Sequence, residues 1–415
     1  MSLLIRDRYI DKILEHRNMG AITVLTGIAY SGRSVLLKQA FDSLKAQEDI
    51  PQENIIFVDL IKMGSDREKN SRYLSDLIYS RINDLKGSKY LFIDNIEYAD
   101  NWGRILYGCK NNYYLNVYIA PFNSNYLTNK DLLEIAYVHR VRILPFSFKE
   151  AIEYSKLNSK DNVEELSDKE LFEEYQRYDG LPEVWESDKY WYKEQIRIWS
   201  YQNTLYPSIY HLYHRKFAEN LIKYLIGDIG HRFNKNIFQK FVNQDINYNM
   251  SIFNLSKELL SYYIEILKNI GLILPCGCID LVTHKSKWGE DIFYLSDSSF
   301  YFHKYSHLLC SKEILESIIF TEFLRRDFPV SRGFLENEEI TFVHNDSDEW
   351  IYIQVEISIA DETLRSKVFD KLNHDENAVK YVLSMDTKDY STGNIKHINI
   401  IDFLKNEDSI TINGD

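Results

Sequence analysis

The sequence predicts an α/β protein in three parts: a parallel sheet covered by helices on both faces, a helical segment, and a second, smaller α/β unit. Three observations carry this. Near-continuous apolar runs alternate with helical spacing from about residue 20 to residue 150. Apolar residues at i, i+3, i+4 dominate from about 170 to 300. Short strand-like runs then return in the last hundred residues. At 415 residues the chain is too long for one ordinary domain, so several are expected.

In chain order, Ala21–Thr26 reads as a buried strand and Val35–Leu44 as a helix. Asn54–Leu60 is a second apolar run, followed by a helix around Ser71–Leu85. Tyr90–Asp94, Val117–Ala120 and Arg140–Leu144 complete the strand set, and Pro145, lacking the amide a ladder needs, ends the last one. Lys156–Lys169 is charged and polar, and is the expected flexible connection. Phe217–Ile229 and Lys257–Ile270 are amphipathic helices. The second ends at Gly271, a fitting C-cap, and leads into the strand-like Leu272–Leu274. Short helices leading into a hairpin suit a winged-helix module. A helix at Glu313–Arg326 and strands at Glu339–Val343, Trp350–Ile357, Lys380–Ser384 and His397–Ile401 form the last unit.

The turn between the first strand and helix, Gly27-Ile-Ala-Tyr-Ser-Gly32-Arg33-Ser34, fits the phosphate-cradling pattern G-x-x-x-x-G-K-[ST] at every fixed position except the lysine. Glycines let the backbone turn tightly, so that amides and a helix N-terminus face a polyphosphate. The expected nucleotide-binding set is therefore Gly27, Ser31, Gly32, Arg33, Ser34 and Val35. Arg33 keeps the positive charge, but its planar fork is bulkier than an ammonium and spreads the charge. Ser34 and Asp94, the latter ending the apolar strand Lys89–Asp94, are the expected Mg²⁺ ligands. The position after Asp94, usually a glutamate that activates water, is Asn95. An amide is no useful base near pH 7, and losing a general base costs about 10²–10⁴-fold in rate. Binding should suffer much less. The expected behaviour is ATP binding with slow or absent hydrolysis, a nucleotide-dependent switch. A slow ATPase using Glu97 and a non-catalytic interaction scaffold are the alternatives.

Composition narrows the partners. A net charge of −13 argues against strong general affinity for nucleic acid or anionic membrane. No run resembles a transmembrane helix or a signal peptide, so a cytoplasmic protein is expected. Cys109, Cys276, Cys278 and Cys310 are too few and scattered for a disulfide framework. Cys276-Gly-Cys278 with His284 does not complete a zinc site, and free buried thiols are expected.

With these residues in hand, the chain resembles the bacterial and archaeal AAA-type P-loop ATPases that carry a C-terminal restriction-endonuclease-like domain of unknown function. The resemblance rests on Arg8-Tyr9-Ile10, the phosphate loop, Leu91–Asp94 followed by Trp102, Ile119–Ser124, Leu144-Pro-Phe-Ser-Phe148 and Tyr175–Pro182. It implies a P-loop NTPase domain over 1–155, a winged-helix-like domain over 170–300 and a degenerate nuclease-like domain over 301–415. It also implies ATP and Mg²⁺ as ligands, and a homo-oligomer or protein partner. Asp94, Asn95 and Asn123 would occupy the catalytic positions, with Asn123 or Ser124 as the polar sensor after a central strand. Arg140 or Arg142 would be the trans-acting arginine. A working nuclease of this class needs an aspartate on one strand and an acidic-x-lysine on the next. Here Thr341 stands at the first, and Gln354 and Glu356 at the second, with Glu316 and Glu322 on the preceding helix. Cleavage is not expected from that set.

Overall fold

The structure, a computed structural model, describes residues 2–410 apart from 64–68, 108–113, 124–136, 159–165, 188, 210–213, 244–256, 288–290, 303–310, 337 and 347–348. Five strands form the first sheet: β1 (Ile22–Thr26), β2 (Ile55–Asp59), β3 (Lys89–Asp94), β4 (Leu115–Ala120) and β5 (Val138–Arg142). Their order is β2-β3-β4-β1-β5 and every pairing is parallel. All positions of β1, β3 and β4 are buried, because each has neighbours on both sides and helices on both faces. The alternation of the side chains sorts them. Ile22, Val24, Leu91, Ile93, Val117 and Ile119 pack with Leu74, Ile78 and Ile82 of α3 (Ser71–Ile82). Leu25, Phe92, Tyr118 and Ile143 pack on the other face with α1 (Asp7–Leu14) and α2 (Arg33–Lys45).

After the sheet come α4 (Phe148–Asn158), α5 (Asp168–Tyr178), α6 (Tyr190–Ile209), α7 (Arg215–Gly227), α8 (Lys235–Asn243) and α9 (Lys257–Asn269). The expected connection Lys156–Lys169 is helical at both ends. α4 runs on to Asn158, and Ser167 starts α5 with a capping box closed by Glu170. Gly271 has φ +75 and ends the helical run after α9, as read from the sequence.

A second sheet of eight strands follows: β6 (Ile273–Asp280), β7 (Lys285–Ser286), β8 (Ile292–Leu295), β9 (Ser331–Leu335), β10 (Glu338–Asp346), β11 (Glu349–Val355), β12 (Val379–Ser384) and β13 (Ile395–Asn399). Its helices are α10 (Lys312–Arg325), α11 (Glu362–Leu372) and α12 (Ile400–Lys405). β6 forms an antiparallel hairpin with β8 through its first half and pairs in parallel with β9 through its second. The hairpin expected of a self-contained module is thus continuous with the last sheet. β9 escapes a sequence reading because Ser-Arg-Gly interrupts its apolar pattern. β13 stops at Asn399 rather than Ile401, because the Asn399 side chain accepts from the amides of Ile401 and Asp402 and caps α12. One apolar core runs without a break from Leu144 through the helices and α10 to Ile410.

The two most distinctive sequence segments meet here. The Phe146 amide donates to Gly180 O at 2.7 Å, and Tyr175 Oη donates to Phe146 O at 2.8 Å. A Cβ on Gly180 would lie 1.9 Å from Phe146 O, so only glycine fits. Arg6 and Arg325 both donate to Pro145 O, and Arg6 is paired with Glu150 at 2.7 Å. Leu144–Phe148 and Tyr175–Leu181 therefore form one buried joint between the first sheet, the helical segment and α10.

Candidate nucleotide site

The loop Gly27–Ser34 leaves β1 at the carboxyl edge of the sheet and enters α2. Gly27 has φ +141 and a Cβ there would lie 2.4 Å from Ile143 O; Gly32, at φ +93, precedes the first residue of the helix. Both glycines are required by backbone geometry. The first amides of α2 have no partner within their own helix and open the site with a positive dipole end. Ser31 Oγ is buried in the loop and has no hydrogen-bond partner among the described residues. A cavity of about 360 Å³ lies against the loop, lined by Gly32, Ser34, Val35, Asn95, Leu4 and Pro182 among others. The N-terminal segment Leu3–Leu4, which sequence reasoning did not single out, forms its apolar wall, and Gln39 holds Leu4 O at 2.7 Å.

Ser34 Oγ donates to Asp94 Oδ1 at 2.9 Å, so the two expected metal ligands, brought from the start of α2 after β1 and from the end of β3, strands on either side of β4, are in contact. Burial pushes the Asp94 carboxyl up to about 6; the Ser34 hydrogen bond opposes this and the Asp59 carboxylate adds to it. Arg33 behaves differently from a phosphate-facing cation. Its guanidinium is buried and donates to Pro121 O at 2.6 Å and Phe122 O at 2.9 Å, past the end of β4. Burial lowers its pKa to about 10, with Glu97 and Asp94 pulling the other way. It remains charged at neutral pH.

Asn95 sits in the left-handed region, φ 57 and ψ 49, and its amide donates to Ala120 O at 2.8 Å. Asparagine tolerates this conformation better than glutamate does, so the backbone at this turn favours the residue found. Glu97 Oε1 accepts from the Asn123 amide at 3.0 Å; its Oε2 is buried without a partner among the described residues. Burial raises the Glu97 pKa. Asn123 is buried beyond β4, whereas Ser124 lies outside the described residues. Arg140 and Arg142 stand on the edge strand β5.

A set of hydroxyls that sequence reasoning missed joins α6 to this loop. Ser200 Oγ donates to Ala29 O at 2.7 Å, and the Ala29 amide donates to Thr204 Oγ1 at 2.9 Å. One turn further on, Ser208 Oγ donates to Asn123 Oδ1 at 3.0 Å. The signal was present: hydroxyls at i, i+4 and i+8 lie on one helix face.

The family model described as an AAA domain matches residues 20–152. Over these residues the chain is similar to that family. Over most of its length the chain is similar to an uncharacterized protein of Haemophilus influenzae, 26% identical over 388 residues that cover 92% of this chain and 93% of that one. An uncharacterized protein of Methanocaldococcus jannaschii is 25% identical over 333 residues, 78% of this chain and 69% of its own. Among solved structures, the Walker-type ATPase of Pyrococcus abyssi aligns over 72% of this chain and 95% of its own, at 13% identity and a TM-score of 0.46. The matched residues hold the parallel sheet and the glycine-rich loop Gly27–Ser34. No helix among the described residues is long and apolar enough to cross a membrane.

In the last sheet the nuclease-type positions are occupied by residues that satisfy one another. Thr341 Oγ1 accepts from the Val355 amide at 3.2 Å, and Gln354 Oε1 accepts from the Thr341 amide at 3.3 Å. Glu356 Oε1 accepts from Gln354 at 2.7 Å and from Lys312 at 2.8 Å. Glu316 is paired with Arg332 at 2.6 Å and with Tyr294, and Glu322 with Arg325 and Arg326. Buried carboxylates held by arginines in this way are structural pairs. Cys276 and Cys278 are buried, and burial raises the Cys276 thiol to about 12. Cys109 and Cys310 lie outside the described residues.

Proposed function

We propose that the chain binds ATP with Mg²⁺ in the cavity between the phosphate loop, Leu3–Leu4 and Pro182, and works as a nucleotide-dependent switch whose hydrolysis is slow or absent. The observation that carries this is the Ser34–Asp94 pair at 2.9 Å beside a loop with an unpartnered buried hydroxyl, combined with Asn95 where a base would stand. The residues fit the ligand: loop amides and the α2 N-terminus for phosphates, Ser34 and Asp94 for the cation, and Leu4, Val35 and Pro182 for a base. Bound Mg²⁺ would neutralise phosphate charge. The chain's own residues do the rest. Asn95 holds the turn after β3, Glu97 fixes the Asn123 backbone, and Ser200, Thr204 and Ser208 let α6 sense the loop and the sensor asparagine together. Movement of either would be passed through α6 to the helical segment and α10, which share one core.

A slow ATPase is the second reading, favoured by the unpartnered buried oxygen of Glu97, a carboxylate close to the site. The winged-helix-like reading of 170–300 draws on α9 leading into the β6–β8 hairpin. The nuclease-like reading of 301–415 draws on the α10-β9-β10-β11-α11-β12 order. The last part serves here as scaffold, since Glu316, Glu322 and Glu356 are paired.

Titration with a fluorescent ATP analogue, with and without Mg²⁺, tests the proposal. Saturable binding that weakens in Ser34→Ala and Asp94→Ala is expected, with phosphate release near background. Absence of saturable binding would leave only the scaffold role. Phosphate release abolished by Glu97→Gln would establish the ATPase instead. Asn95→Glu is expected to raise turnover, reduced by about 1–2 kcal/mol of strain in the left-handed turn.

A further inference from the structure

We propose a transition-metal site formed by Glu15, His16 and His139 at the β5 edge of the first sheet, remote from the nucleotide cavity's lining. One ligand-type atom from each of the three residues lies within 4.8 Å of the other two. They come from two elements. Glu15 caps the C-terminal end of α1, His16 follows it, and His139 lies on the edge strand β5. The imidazole centroids of His16 and His139 are 4.0 Å apart, and His16 Nδ1 is 3.9 Å from Glu15 Oε2.

Two buried nitrogens make this more than a chance cluster. His16 Nδ1 and His139 Nδ1 are both buried with no hydrogen-bond partner among the described residues. Leaving a buried polar nitrogen unsatisfied is unfavourable, and here two such atoms belong to rings grouped with one carboxylate. A borderline cation satisfies all three groups at once. Two imidazoles and a carboxylate suit Zn²⁺ and its neighbours rather than Mg²⁺ or Ca²⁺, which prefer all-oxygen sites. In a tetrahedral zinc site ligand atoms lie about 3.3 Å apart, so side-chain rotation closing the set by up to about 1.5 Å is required. Three protein ligands leave a fourth position for water. An entry path is present: Glu15 and His139 border a cleft of about 610 Å³ whose other walls include Asp11, Lys12 and Asp327. Occupancy would fasten α1 to β5, and α1 follows directly on the Leu3–Arg6 segment that borders the nucleotide cavity.

The test uses the full chain stripped with EDTA and titrated with Co²⁺ followed by optical absorption. One equivalent giving the visible bands of four-coordinate cobalt, displaced by Zn²⁺, is expected, together with a Zn²⁺-dependent rise in melting temperature. His16→Asn and His139→Asn should each weaken binding beyond the roughly 10–100-fold that loss of a supporting residue costs. Circular dichroism and nucleotide titration confirm that both variants are folded. Should the variants misfold, Glu15→Gln, at an exposed carboxylate, provides the same comparison. Binding that survives in the His16→Asn/His139→Asn double variant, binding lost in Cys276→Ser/Cys278→Ser, or no binding at millimolar Co²⁺ would each overturn the proposal.

Discussion

Replacing Arg33 with alanine separates two roles that one residue could fill in a phosphate loop. The guanidinium makes charge-assisted hydrogen bonds to Pro121 O and Phe122 O, and it is buried. Hydrogen bonds involving a charged group contribute about 1.5–3 kcal/mol each, and truncation leaves two carbonyls without these donors. Allowing for relaxation, Arg33→Ala should cost about 3–4 kcal/mol. Unfolding entropy of about 2.1 cal/mol/K per residue makes that a fall of roughly 4 °C in the melting temperature of the whole chain. If the guanidinium is a strut tying the loop to the end of β4, nucleotide affinity should change less than about fivefold, or 1 kcal/mol. Arg33→Lys should lose about half as much stability and bind nucleotide as well or better, because a flexible ammonium can reach a phosphate. Differential scanning fluorimetry and isothermal titration on the same samples give both quantities. A hundredfold loss of affinity in Arg33→Ala with an unchanged melting temperature would refute the strut.

Because Asp94 must be ionised to hold Mg²⁺, Mg²⁺-dependent nucleotide affinity should fall as pH drops through about 6, and Asp94→Asn should flatten the profile. Its folded-state value lies above the unfolded one, so the native state binds the extra proton. Stability without ligand should therefore decline as pH rises from about 4 to 6, by on the order of 2 kcal/mol, and not in Asp94→Asn; urea titrations check the sign. Thr204→Val removes the acceptor of the Ala29 amide and should cost about 1–3 kcal/mol in a denaturation series. It should also reduce any nucleotide-dependent protection of α6 in hydrogen exchange. Gly180→Ala, whose Cβ would overlap Phe146 O, should yield little soluble protein, and normal expression would contradict the joint described here.

The first sheet was legible because β1, β3 and β4 are buried on both faces and read as unbroken apolar runs, and because the glycines of the loop have a fixed spacing. Ser34 and Asp94 were legible for the same reason: strand ends and loop positions determine where side chains go. The direction of the Arg33 side chain was not. It depends on carbonyls nearly ninety residues away, and spacing within a motif carries no information about them. The i, i+4, i+8 row of Ser200, Thr204 and Ser208 marks one helix face, but what that face meets was hidden, since only the fold brings Ala29 beside it. The end of β13 was misjudged because Ile400 and Ile401 extend the apolar run, while the capping amide of Asn399 decides where the strand stops.

The strand β6 has three partners, β8 along its first half and β7 and β9 on the two sides of its second. A polypeptide released after residue 300 would strip β9 from Gly277–Asp280 and lay open a row of backbone donors and acceptors ready to pair with any neighbouring chain. The C-terminal hundred residues are thus a stopper as well as an appendage. Shortened versions of this protein should clump, and whatever α6 conveys should be delivered to a body that cannot be detached.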